Sequence, residues 1–227
     1  MASGNFTFIN GLTTHGSLTI VVILSISAFI IIAGNILVLG AAATSERLKQ
    51  QKSTAFIVSL ACADLMMGAM IMPFYISITY IGYWLFGRFL CQLYFLCTVL
   101  SANASINTLC VIAIDRYVAI TAPLRYESLM THKRIRSLIV FVWMVSLGIS
   151  WPNILISKWS SNNEPVSVAC FEDPACCVFM MSKVYTIVMS LVVFFLPLTI
   201  MLFVYRNVLT VAHKQVRICR FYERNEC

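Results

Sequence analysis

Between residues 18 and 209 the chain passes through five apolar stretches, roughly 18–43, 54–80, 89–120, 138–156 and 184–209. About 20 predominantly apolar residues are needed to cross the hydrocarbon core of a bilayer as a helix. Lipid offers no partner to a free backbone N–H or C=O, so a span must close its hydrogen bonds internally. Barrel strands are about half as long and alternate in polarity, and these stretches do neither. The expected fold is an all-α membrane protein. Composition agrees, with 60% of the 227 residues hydrophobic and only 11% charged, against about 25% charged in soluble domains. The first stretch is too long for a signal peptide, lacks a basic start and is followed by Arg47 and Lys49, so it reads as a retained span. Pro73, Pro152 and Pro197 lie inside spans, where a membrane helix accommodates proline with a kink.

The net charge of +7 is a matter of topology rather than of nucleic acid. The segments after the first and third stretches hold Arg47, Lys49, Lys52, Arg125, Lys133, Arg134 and Arg136, whereas those after the second and fourth hold Arg88, Lys158 and Lys183. Lys214, Arg217, Arg220 and Arg224 follow the fifth. Under the positive-inside rule the N-terminus is extracellular and the C-terminus cytoplasmic. The domain plan is an outer tail at 1–16, five spans at 17–209 and a basic inner tail at 210–227. Asn5-Phe6-Thr7 is a glycosylation sequon on the outer tail. Cys91, Cys170, Cys176 and Cys177 form an even set on the outer side, where two disulfide bridges are expected.

Asp64 is the only charge deep in a stretch. An intramembrane carboxylate is costly and marks a functional candidate; the residue alone equally admits a protonated Asp satisfied by neighbouring Ser and Asn side chains. Asp115-Arg116-Tyr117 closes the third stretch and is followed by Val118-Ala119-Ile120-Thr121-Ala122-Pro123-Leu124-Arg125-Tyr126. Further short motifs are Gly34-Asn35, Leu60-Ala61-Cys62-Ala63-Asp64, Trp84-Leu85-Phe86-Gly87 before Cys91, Trp143, and Pro197 with Tyr205. In this order, over residues 17–215, they resemble the rhodopsin family of G-protein-coupled receptors. Residues 105–117, the stretch through Tyr126-Glu127-Ser128-Leu129 and the spacing of Cys170 to Cys176-Cys177 resemble the aminergic branch, β-adrenergic receptors most closely. Cys177-Val178-Phe179-Met180 is similar to some serotonin receptors.

The resemblance implies a rhodopsin-like bundle in the plasma membrane, with five of seven helices present. It pairs Cys91 with Cys177 and Cys170 with Cys176. It assigns G-protein coupling to Asp115, Arg116, Tyr117, Pro123 and Leu124, and an allosteric sodium site to Asp64 and Ser105. No other cofactor is expected. The implied ligand pocket is Thr98, Val99, Ala102, Phe179, Tyr185, Ser190 and Val193; the same polar residues could instead serve helix packing alone. Thr98 and Arg116 are 18 residues apart, five turns and about 27 Å along one helix face, so one helix serves both ends.

Two departures stand out. Thr98 occupies the position of the Asp that pairs with the ligand ammonium in aminergic receptors, and of the matching catechol-binding positions Met189, Ser190 and Val193 only one keeps a hydroxyl. A buried ammonium without a counter-ion costs several kcal/mol, so catecholamine binding is not expected. A neutral ligand, or an amine read by Glu172 or Asp173, fits better. Seven helices with loops also require roughly 280 residues, so the sequence reads as a receptor ending after its fifth span.

The expected function is ligand-dependent activation of heterotrimeric G proteins, of the stimulatory, cyclic-AMP class by the β-adrenergic resemblance, once helices six and seven complete it. The expected partners are a G protein, a small-molecule ligand, membrane lipid and other receptor copies. The alternative is a non-signalling fragment that associates with full-length receptors. An odd span count and the absence of an internal repeat argue against a transporter. No metal-ligand cluster, nucleophile elbow or phosphate loop suggests an enzyme.

Overall fold

The computed structural model describes residues 14–151, 177 and 183–225. Every regular element among them is helical: α1 (Thr14–Thr44), α2 (Glu46–Gln50), α3 (Thr54–Met66), a π-helical turn (Met67–Ile71), α4 (Met72–Ile81), α5 (Gly87–Thr121), α6 (Pro123–Leu129) and α7 (His132–Ser150). After the outer segment come α8 (Lys183–Ser190), a second π-helical turn (Leu191–Phe195) and α9 (Leu196–Asn225). Four described segments are long and apolar enough to cross a membrane: Leu18–Thr44, Thr54–Ile81, Gly87–Thr121 and Thr186–Val211. The remaining expected span begins in α7. That helix starts six residues before its apolar run, at His132-Lys133-Arg134, and its first turns hold Arg136 as well. Its described part is therefore too short and too basic to qualify by composition.

The kinks expected at Pro73 and Pro197 take the form of π turns. A proline ring clashes with the carbonyl four residues earlier, which is Ala69 for Pro73 and Val193 for Pro197. Each carbonyl lies in a π turn, where the ladder widens by one residue. Pro152 lies outside the described residues. The helix that carries Lys214 and Arg217 continues without a break through residue 210 to Asn225.

α5 is the hub of the bundle, packing on α3, α7 and α9, while α1 lies along α3 and α4. α1 also packs tightly on the first π turn at Gly68, where an added Cβ would sit 2.9 Å from Ile31 Cγ2. At the Asp115 end of the bundle, Phe56, Met130 and Ile135 form a buried cluster onto which Val118 and Tyr126 pack. Most other large apolar side chains face outward. The apolar windows of α1 and of the α8–α9 helix are each only 6% buried, a distribution untenable in water and suited to lipid.

Candidate functional site

The Asp115 end of α5 is built around a reversal of the chain. Ala122 leaves the helix at φ −136°, ψ 58°, and Pro123 opens α6 in its first turn, where the missing N–H of proline costs nothing. The reversal brings Tyr126 back to α5, where its hydroxyl donates to Asp115 Oδ1 at 2.8 Å. Asp115 is fully buried, and its Oδ2 faces Arg116 Nη2 at 3.4 Å, an ion pair rather than a formed hydrogen bond. The Arg116 guanidinium is itself half-exposed. Burial, then the hydrogen bond to Asp115, pushes the Tyr126 phenol up to about 12.

Three further contacts pin α6. Lys52 pairs with Glu127, and Arg134 Nη1 donates to the Ser128 and Leu129 carbonyls at 3.2 and 3.0 Å. Thr131 caps α7 by accepting from the Arg134 N–H. On this anchored helix Leu124 is 99% exposed, while Tyr117 is half-buried.

Midway along the bundle, Ser105 Oγ donates to Asp64 Oδ1 at 2.9 Å, joining α5 to α3. Asp64 is half-buried. The two groups offer a carboxylate and a hydroxyl oxygen with no soft donor, a set suited to a hard cation. Next to them Trp143 Nε1 donates to Ser59 Oγ at 3.0 Å, tying α7 to α3. On the other side Cys110 Sγ donates to the Pro197 carbonyl at 3.5 Å, tying α5 to α9 just past the second π turn.

At the opposite end of α5, Gly82 closes α4 with φ 89° and Gly87 turns into α5 with φ 72°, conformations that glycine adopts without strain. Trp84 is buried between Phe74, Phe86 and Tyr94, with ring centroids 5.1–5.7 Å away, and its Nε1 donates to the Gly87 carbonyl at 2.7 Å. This cluster presents Cys91, which bonds to Cys177 with the Cα atoms 5.8 Å apart. The bridge implied by the resemblance is thus formed. Cys170, Cys176, Asn5, Glu172, Asp173 and Phe179 lie outside the described residues, as does the side chain of Tyr185.

Of the expected ligand pocket, Thr98, Val99 and Ala102 are half-buried on α5, and Thr98 Oγ1 donates to the Tyr94 carbonyl at 2.7 Å. Ser190 is exposed and Val193 half-buried. They precede α9, the part of that helix which packs most closely on α5. The links from Tyr126 to Asp115, Ser59 to Trp143 and Cys110 to Pro197 were not anticipated from the sequence. Asp115, Tyr126, Trp143, Cys110 and Pro197 each stood in a motif or stretch that carries the resemblance, but none of those motifs named its partner.

A bridged, multi-pass helical bundle with a buried acid beside an arginine at one end of its central helix defines a membrane receptor scaffold. Residues 34–226 match the family described as 7 transmembrane receptor (rhodopsin family), and the chain belongs to that family. It is 35% identical over 210 residues to the 5-hydroxytryptamine receptor 7 of Xenopus laevis, covering 89% of this chain and 47% of that receptor. It is 36% identical over 199 residues to the histamine H2 receptor of Rattus norvegicus (88% and 54%). Identity to the alpha-2 adrenergic receptor of Carassius auratus is 35% over 196 residues (86% and 42%). The chain spans about half the length of these relatives. They are receptors, in line with the expectation that it is no enzyme. Three ligand classes at nearly equal identity define the aminergic branch and nothing finer.

Proposed function

We propose that this chain belongs to a plasma-membrane receptor that activates heterotrimeric G proteins on binding a small molecule, with its Cys91 end outside and its Asp115 end in the cytosol. The disulfide supports this orientation, since such bonds persist in oxidising compartments, and so does the basic character of the opposite end. The observation that carries the reading is Leu124, exposed on a helix fixed by Tyr126 and Asp115 and adjoining the half-exposed Arg116. Together they offer an apolar knob and a cation to an incoming G protein. Asp64 and Ser105 would hold sodium, whose charge the carboxylate would balance. Asn5 would carry a glycan.

The ligand is a molecule without a cationic amine, or an amine read by the outer segment, because Thr98 brings no carboxylate and its hydroxyl is engaged by its own helix. The pocket would comprise Thr98, Val99, Ala102, Phe179, Tyr185, Ser190 and Val193. A β-adrenergic-type response through a stimulatory G protein is the narrower form of the proposal, supported by the resemblance of residues 105–117. The test is guanine-nucleotide exchange on purified G proteins, with the protein in nanodiscs and a panel of amines and neutral analogues. Ligand-evoked exchange that falls to background in Leu124→Ala supports the proposal. A well-folded protein that evokes no exchange with any ligand contradicts it.

The second reading is a membrane protein that binds other receptor copies without signalling. The window Thr186–Val211, only 6% buried, gives it a surface. Co-purification with a related receptor, in the absence of nucleotide exchange, selects it.

A further inference from the structure

Two serines among the described residues follow an arginine by three positions: Ser128 after Arg125 and Ser137 after Arg134. Protein kinases that read a cation at that spacing take their serine in an extended chain, so the local fold separates the two. Ser137 lies inside α7, beyond the buried Ile135. Unwinding the helix that far would open the cluster of Phe56, Met130 and Ile135. Ser128 is exposed and stands next to the last residue of α6. The chain has left the helix by Met130, at φ −102° and ψ 68°. The Ser128 hydroxyl donates to the Arg125 carbonyl at 2.9 Å, within one turn of its own helix. Its surroundings are charged. Glu127 precedes it and pairs with Lys52, while Arg134 Nη1 donates to the Ser128 and Leu129 carbonyls. Arg134 thereby caps the C-terminus of α6, where carbonyls lack donors within the helix.

We propose that Ser128 is a phosphorylation site whose modification undocks α6. The co-reactant is a nucleoside triphosphate held by a protein kinase that reads Arg125. The Ser128 oxygen bonds to the γ-phosphorus as the bond from that phosphorus to the β–γ bridging oxygen breaks. The nucleoside diphosphate leaves, and the hydroxyl proton passes to the kinase. The product carries about −1.5 to −2 charges at neutral pH. It stands at a helix C-terminus and beside Glu127, and both placements repel it. Relief comes from Arg134, already in contact with the Ser128 backbone. A guanidinium binds phosphate through two parallel bonds, more strongly than it binds neutral carbonyls. Drawn to the phosphate, Arg134 leaves the α6 carbonyls uncapped. Ser128 thus governs the helix that displays Leu124. The inference rests on the proposed cytosolic placement of this end, where kinases meet their nucleotide.

The test treats the purified full chain in nanodiscs with an arginine-directed serine kinase domain, magnesium and ATP. Peptide mass spectrometry locates the phosphate, and amide hydrogen exchange follows α6. The expected result is phosphate on Ser128, none there in Ser128→Ala, and an unchanged yield in Ser137→Ala. Arg125→Gln slows the modification about tenfold, the usual worth of one charge-assisted contact. Exchange across residues 124–130 rises about tenfold or more on phosphorylation, for the loss of the Arg134 bonds. Arg134→Gln raises it without phosphate, and phosphorylation then adds little; if that variant fails to fold, exchange in the wild type decides. Nanodiscs expose both faces, so an absent phosphate defeats this inference and not the orientation, which labelling on intact cells tests by itself. Phosphate on Ser137 in place of Ser128, none on either, an undiminished rate in Arg125→Gln, or unchanged exchange in α6 after modification would each overturn the proposal.

Discussion

Tyr126 and Asp115, eleven residues apart in sequence, are joined by a 2.8 Å hydrogen bond that fastens α6 to the end of α5. The carboxylate it serves is fully buried, so its loss strands an acceptor rather than returning it to water. Tyr126→Phe is expected to destabilise the protein by about 1–3 kcal/mol, the cost of leaving a buried acceptor unpaired. A drop in thermal midpoint of a few degrees in detergent checks it, and an unchanged midpoint would show that water replaces the phenol.

The same bond sets a pH window. The folded phenol is raised to about 12 from the ordinary 10, so its contribution is complete below pH 10 and is lost as pH rises through 12. It is therefore constant over the physiological range. A phenolate absorbance titration, wild type minus Tyr126→Phe, should show one tyrosine ionising near 12; ionisation near 10 would contradict the observed burial.

Gly68 meets Ile31 where α1 crosses the first π turn, with room for no further carbon. Gly68→Ala should cost about 1–3 kcal/mol, the usual penalty for overpacking. Ile31→Ala removes the clashing Cγ2 and should restore part of the loss. Thermal unfolding of the single and double variants measures the coupling, and simple additivity would mean that the helices separate freely.

Sodium binding at Asp64 and Ser105 predicts that sodium chloride raises the thermal midpoint more than choline chloride does at equal ionic strength. In Asp64→Asn the difference should vanish. Sodium stabilisation that survives this substitution would place the ion elsewhere.

The missing ammonium partner is tested by Thr98→Asp. A buried carboxylate should raise the affinity for a simple arylalkylamine by roughly a hundredfold or more, since an unpaired buried charge costs several kcal/mol. Radioligand or fluorescence binding reads the change, and unaltered, negligible affinity would show that another feature of the pocket excludes amines.

Most of the scaffold was legible because lipid makes a span visible as an unbroken apolar run. Residues 54–80 and 89–120 were read within two residues of their helix ends. The span that begins in α7 was harder to place, because His132-Lys133-Arg134 are helical yet too basic to count toward an apolar window. The π turns were hidden. Pro73 and Pro197 announce a disturbance, but a proline alone does not say whether the helix bends or widens. Asp64 and Asp115 were visible as charges in apolar surroundings, whereas their partners, Ser105 apart, were not. Tyr126 reaches Asp115 only because Ala122 reverses the chain, and nothing in the residue types records that angle. The bridge between Cys91 and Cys177 was legible only through family resemblance, since four outer cysteines allow more than one pairing. The same resemblance pointed to the β-adrenergic receptors, while similarity over the whole chain is shared among serotonin, histamine and adrenergic relatives.

Which face of the membrane presents α6 decides the functional account. Leu124→Cys would place a thiol at a position 99% exposed in the structure, open to a membrane-impermeant maleimide. Labelling above the wild-type level is predicted only after the plasma membrane is permeabilised. Equal labelling on intact cells would put the Asp115 end outside, beyond the reach of any G protein.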